Sequence, residues 1–213
     1  MKKLFTILVS LFLCLASLAQ TSDNVLKFLG IPVDGSKTQM ISSLKSKGFT
    51  YDAEYECLHG KFNGTESNIF ISENNGKVDR VFVGYSSQVD EAQIRINYNN
   101  LIVQFRKNEK YLDLVGNEFI PEDEDISYQM IVNNKVYDAC FSLKPNLSDS
   151  DVEAIRQSAL KYETEAEQYK YIMDELSKRV TGEVWFRIIE FEGKYHLGIY
   201  YDNLNNRPNG EDL

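Results

Sequence analysis

The sequence predicts an α+β fold in which antiparallel sheet meanders pack against helices. Three observations lead there. Asn63-Gly64, Asn75-Gly76 and Glu192-Gly193 each sit between runs of strand formers, and such pairs accept the positive φ angles of tight hairpins. Apolar residues at helical spacing occupy separate blocks between these hairpins. The regular β-α-β alternation of a parallel sheet does not appear.

The elements follow in order. Val25 to Val33 reads as a strand, turned by Asp34-Gly35. Ser36 with Gln39 forms a capping box that opens a short helix, with Met40, Ile41 and Leu44 inward and Gly48 as its stop. Glu54 to Phe62, Ser67 to Glu73 and Val78 to Tyr85 form a three-stranded meander. Asp90 and Gln93 start a second helix, where Ile94, Tyr98, Leu101, Ile102 and Phe105 recur at helical spacing from about Glu91 to Asn108. Ile126 to Val132 and Lys135 to Leu143 read as a hairpin over Asn133-Asn134.

From Val152 to Val180 apolar or small residues alternate spacings of three and four, including Ile155, Ala159, Tyr162, Tyr169 and Leu176. This predicts one long helix, capped by Ser150 with Glu153 and ended by Gly182; a long helix laid across a sheet is the favoured reading over a coiled coil. Glu183 to Phe191 and Tyr195 to Tyr201 make the last hairpin, before a polar tail over residues 203–213. The order β-α-β-β-β-α, then β-β-α-β-β, admits two small helix-on-sheet halves, 24–111 and 112–202.

The first 19 residues carry the pattern of a cleavable signal peptide. Lys2 and Lys3 precede the apolar run Leu4–Leu13, and Ala16-Ser-Leu-Ala19 supplies a small-x-small cleavage site before Gln20. The run is half of the roughly 20 residues needed to span a bilayer. Cys14 faintly matches a lipoprotein box, but Leu13 before it is not small, so cleavage after Ala19 is expected. Removing residues 1–19 takes away two lysines and no acids, moving the net charge from −9 to −11. That acidity, with no basic cluster, argues against nucleic acid and anionic membrane surfaces as partners.

Candidate chemistry is sparse. Export places Cys57 and Cys140 in an oxidising compartment, where an even pair is a candidate disulfide. The histidines are His59 and His196, neither beside a nucleophile motif; Cys57 and His59, two apart on a strand, are near neighbours at most. Glu122-Asp-Glu-Asp125 and Asp149-Ser-Asp151 offer oxygens without a complete calcium-loop pattern. No cofactor, metal or catalytic residue is assigned. Thirteen tyrosines favour a recognition surface, and the best candidate is a sheet face carrying Trp185, His196 and Tyr200.

Phe28-Leu-Gly-Ile-Pro-Val-Asp-Gly35, Lys47-Gly-Phe49, Gly60-Lys-Phe-Asn-Gly64, Tyr201-Asp202 with Asn205, and Glu211-Asp-Leu213 give the chain a likeness to a known group. It resembles secreted proteins common in gut Bacteroidota that carry no established activity. These are turn glycines and core positions, so the resemblance implies export and transfers no chemistry. More distantly, the helix-then-sheet order resembles envelope proteins of the outer-membrane assembly lipoprotein and β-lactamase-inhibitor-like type, in architecture alone. The expectation is an extracytoplasmic, periplasmic or envelope-associated binding module, not membrane-spanning, whose ligand is an envelope protein or a glycan. The alternative is a hydrolase of envelope or polymer substrates that uses carboxylates left unpaired by the sequence.

Overall fold

The computed structural model describes residues 24–208. The expected signal segment, Cys14, the expected Gln20 junction and Glu211-Asp-Leu213 lie outside the described residues. The fold is α+β with antiparallel strands. Two compact units divide the described chain, one over residues 144–180 and the other over residues 25–143 and 181–208.

The larger unit opens with β1 (Lys27–Phe28) and β2 (Ile31–Pro32), a miniature hairpin. Leu29 and Gly30 hold φ of 50° and 79°, so the single strand expected over Val25–Val33 folds back on itself. Helix α1 (Lys37–Ser46) starts with both bonds of the Ser36–Gln39 capping box, and Gly48 past its end has φ of 96°. Next come β3 (Thr50–Asp52), β4 (Cys57–Phe62), β5 (Thr65–Asn74) and β6 (Lys77–Tyr85). Helix α2 (Glu91–Lys107) starts on Asp90, whose carboxylate accepts from the Gln93 amide. Then follow β7 (Tyr111–Leu112), α3 (Ile126–Val132) and β8 (Asp138–Leu143). The hairpin β9 (Gly182–Phe191) and β10 (Lys194–Asn203) closes the unit over Glu192-Gly193, both at positive φ.

Eight strands form one antiparallel sheet in the order β3-β4-β5-β6-β10-β9-β8-β7. Strands before and after residue 112 therefore share a single sheet. Alternation along each strand separates two faces. On the inner face Leu58, Ile69, Val83, Ile199, Phe186 and Phe141 are buried. Helix α2 lies on this face: the Tyr98 ring meets Phe186 at 5.2 Å and the Phe105 ring meets Phe141 at 5.1 Å. Met40 and Leu44 of α1 join the same core.

Three further expectations are corrected. Ile126–Val132 is a helix and not the first strand of a hairpin. Asp125 caps it through the Tyr128 amide, and Glu91 of α2 accepts from the Ile126 and Ser127 amides and from the Ser127 hydroxyl. A carboxylate at a helix N-terminus satisfies otherwise unpaired donors, and here it comes from 35 residues away. The polar tail begins later than expected, since Asp202 and Asn203 end β10 and are buried, followed by a 3-10 turn over Leu204–Asn206.

The third correction concerns the smaller unit, where the expected long helix is two: α4 (Asp149–Ala159) and α5 (Glu165–Ser177). Ser148 with Asp151 caps α4, two residues before the expected site, and Thr164 with Glu167 forms a capping box that starts α5. A fresh cap satisfies the amides of a new helix start, so the chain breaks where the apolar spacing alone would continue. Ile155, Ala159, Ile172 and Leu176 are buried, whereas Tyr162 and Tyr169 of the same stripe are exposed.

Gly60 of β4 leaves the space that Phe49 fills: a Cβ there would stand 2.5 Å from the Phe49 ring. Replacing Gly60 by Ala forces that buried ring aside, with an expected loss of about 1–3 kcal/mol. Urea unfolding of Gly60→Ala against the parent checks this, and an unchanged midpoint contradicts it.

Candidate functional site

The outer face of the sheet carries the residues singled out from the sequence. One cross-sheet row reads Cys57, Phe70, Phe82, Tyr200, Trp185, Cys140, each directly opposite the next. Four aromatic rings therefore stand side by side: Phe70–Phe82 at 5.9 Å, Phe82–Tyr200 at 4.6 Å and Tyr200–Trp185 at 3.7 Å, the last two rings within 5° of parallel. Arg80 lies over both Tyr200 and Trp185 at about 5.5 Å, and Arg187 lies over Trp185.

Asp202 fixes this arrangement. Its side chain is 2% exposed, and the carboxylate accepts a forked pair of bonds from Arg80 at 2.6 and 2.8 Å. Trp185 Nε1 donates to it at 2.9 Å, and Arg207 donates from beyond the 3-10 turn. Burial alone would raise its pKa, but these donors outweigh it and hold the carboxyl below the usual carboxylate range.

Trp185 and Tyr200 are thus brought together and His196 is not. His196 shares their face but lies four residues along β10 from Tyr200, roughly 13 Å away, opposite Ile189. It makes no side-chain hydrogen bond among the described residues, and burial pushes its pKa down, favouring the neutral ring.

The candidate disulfide is corrected. Cys57 and Cys140 are free and occupy opposite ends of the aromatic row, five strand spacings or about 24 Å apart, far beyond the roughly 7 Å between Cα atoms that a bridge allows. Cys57 instead meets His59, which in turn meets Asn68: Sγ to Nε2 is 3.4 Å and Nδ1 to Asn68 Oδ1 is 2.7 Å. With Nδ1–H donating to Asn68, Nε2 can accept from the thiol, although Asp52 Oδ2 stands 3.6 Å from the same nitrogen. That order matches nucleophile, base and orienting group. Cys57 is nevertheless only 2% exposed, and burial, then the Asp52 charge, pushes its thiol up and keeps it protonated. Cys140 is pushed up to about 12, chiefly by burial.

The carboxylates behave likewise. Glu183 stands opposite Asp202; burial raises its pKa while the donors lower that of Asp202. Divergent neighbours of this kind can serve as acid and base, but Asp202 has both oxygens occupied and almost no access to water. Glu124 of the acidic turn binds Lys135 and Tyr137, and Asp125 caps α3. Asp149 and Asp151 lie in the first turn of α4. Among the described residues no group of three or more histidine, cysteine and carboxylate side chains is placed to hold a metal ion.

Sequence reasoning missed a groove of about 520 Å³ between α2 and the β4–β5 hairpin. Gln93, Asn97, Asn100 and Gln104 line it from one face of α2, opposite Asn63-Gly64-Thr65 of the hairpin turn and Tyr85 of β6. Residues 94, 98, 101, 102 and 105 carry the apolar stripe into the core, which turns the amide stripe beside it toward the groove. Gln93 donates to Asn97 Oδ1 at 2.8 Å, and among the described residues the side chains of Asn100 and Gln104 make no hydrogen bond. Burial raises the pKa of Tyr85, opposed by a bond with Asn63, so its hydroxyl stays neutral. Lys61 and Glu66 at the rim pair with each other at 3.7 Å. The amide spacing 93, 97, 100, 104 was the available signal, running beside the apolar residues already recognised as helical.

No family model, curated protein or solved structure matches this chain. No helix among the described residues is long and apolar enough to cross a membrane.

Replacing Asp202 by Ala strands the Arg80 and Arg207 guanidinium groups and the Trp185 N–H together. Breaking one partner of a fully buried pair costs roughly 3–5 kcal/mol; Arg80 is 36% exposed, so about 2–3 kcal/mol is expected by chemical denaturation. The folded pKa of Asp202 is depressed, so its stabilisation is complete above the unfolded carboxylate range and is lost as pH falls through the folded value. Asp202→Ala should therefore show a shallower loss of stability below about pH 4 than the parent. Equal acid sensitivity of the two would contradict this assignment.

Proposed function

We propose that this chain is an exported, non-catalytic extracytoplasmic binding module whose ligand occupies the groove between α2 and the β4–β5 hairpin. The observation that carries the reading is the row of side-chain amides facing that open groove, of which Asn100 and Gln104 are unengaged. Polar groups converging on a concavity are what orient a small ligand, and Asn100 and Gln104 have no structural partner that explains their placement. The signal-peptide pattern of residues 1–19 supports an extracytoplasmic setting.

The hydrolase alternative has its best-placed groups in Glu183 beside Asp202, and in Cys57 with His59 and Asn68. Both are weaker. Asp202 serves as a buried anchor, and Cys57 is a buried protonated thiol; neither group lines the groove.

Two measurements test the reading. Expressed in a bacterial host that exports it, the full chain should be recovered outside the cytoplasm with Gln20 as its first residue. A cytoplasmic chain beginning at Met1, or an acylated Cys14, overturns the localisation. A thermal-shift screen of the mature chain against small metabolites, glycans and peptides should yield a ligand whose affinity falls about tenfold or more in the Asn97→Ala/Asn100→Ala double variant, in proportion to two lost hydrogen bonds. Hits indifferent to that variant place binding elsewhere.

A further inference from the structure

We infer that the groove takes a neutral oligosaccharide, laid along α2 and held without being cut. The inference rests on the binding reading above and adds the class of ligand.

Charge comes first. Among the described residues, the charged side chains that line the groove are Lys61 and Glu66, which pair with each other. An anionic ligand meets no uncompensated cation and a cationic ligand no uncompensated carboxylate, so charge on a ligand would be desolvated without return.

Hydrogen-bonding capacity comes second. Each amide side chain offers two donors and an acceptor, and a sugar hydroxyl is itself both donor and acceptor. A row of amides therefore matches a row of hydroxyls without needing one fixed polarity. The amides run from Gln93 to Gln104 of α2, 11 residue steps that at 1.5 Å each span about 16 Å. That length suits a chain of several linked rings better than one compact molecule.

The floor is the third element. Tyr85 and Val89, both partly buried, line the groove beside the amides and offer apolar surface to the C–H faces of pyranose rings, while Leu101 and Leu197 behind them belong to the core. A peptide could also bond to amides, but its side chains would look for apolar or charged pockets that this lining does not provide.

The ligand stays intact because the lining holds one carboxylate, Glu66. Glycoside hydrolysis by carboxylates uses two, roughly 5–9.5 Å apart across the bond.

The test uses the ¹⁵N-labelled mature chain, residues 20–213, and follows the side-chain amide resonances of Asn97, Asn100 and Gln104. The probes are cellotriose, maltotriose, xylotriose, mannotriose and chitotriose, with trigalacturonate and trialanine as comparison ligands. At least one neutral trisaccharide should shift these resonances saturably and be recovered uncut by chromatography. Asn100→Ala and Gln104→Ala should each weaken it about three- to tenfold, the effect of one lost hydrogen bond. Both side chains are exposed, so each variant is expected to fold, and circular dichroism confirms that before titration.

Silence of all five neutral sugars at these resonances overturns the inference, as does cleavage of the bound sugar. Preferential shifts from trigalacturonate or trialanine overturn it too, while leaving the groove as a binding site. If no probe here and no hit from the broader screen depends on these amides, the binding reading falls as well.

Discussion

Asp202 is a carboxylate almost wholly withdrawn from water at the end of the central strand, and a charge in that position stands only where donors surround it. Arg80 comes from β6, Trp185 from β9 and Arg207 from the segment after the 3-10 turn. These three reach one carboxylate from both neighbouring strands and from the chain that follows. The same bonds pin Trp185 against Tyr200 and set Arg80 over both rings. Much of the order of the outer face follows from keeping this one charge paired.

The inner face is governed by a different constraint. Alternation in β5, β6, β10 and β9 sends Ile69, Val83, Ile199 and Phe186 to one side, and α2 must turn its apolar stripe to meet them. Once that rotation is set, the position of every other residue on α2 is set with it. Gln93, Asn97, Asn100 and Gln104 fall on the flank that faces the β4–β5 hairpin. The candidate binding groove is thus a consequence of core packing: the amides are aimed by the residues beside them.

The local signals in the chain were legible because their physics is local. The Ser36–Gln39 capping box, the Asn63-Gly64, Asn75-Gly76 and Glu192-Gly193 turns, and the α2 stripe all depend on contacts within a few residues. Two further local signals were there to be read: the Thr164–Glu167 box that breaks the expected long helix, and the Leu29-Gly30 turn that folds the first strand. Ile126–Val132 was ambiguous in a deeper way. Its short apolar run suits a strand or a helix equally, and the choice is made by Glu91 capping it from α2. The candidate site was half legible. Trp185 and Tyr200 do meet, but His196 sits far along the strand, and the groove amides drew no notice because each alone is an ordinary surface residue.

The sequence by itself determined the α+β class, the hairpins turned at Asn63-Gly64, Asn75-Gly76 and Glu192-Gly193, and the acidic charge, because composition and short-range spacing are enough for these. Strand order was decided only by the tertiary structure. β10 inserts between β6 and β9, which separates Cys57 from Cys140 by five strand spacings and brings Asp202 beside Arg80, 122 residues away. Long-range pairing depends on which faces bury one another, and a one-dimensional pattern cannot encode which of several apolar strands becomes the neighbour. The groove likewise exists only once α2 is rotated onto the sheet, so its amides acquire a shared direction from packing and not from their spacing alone.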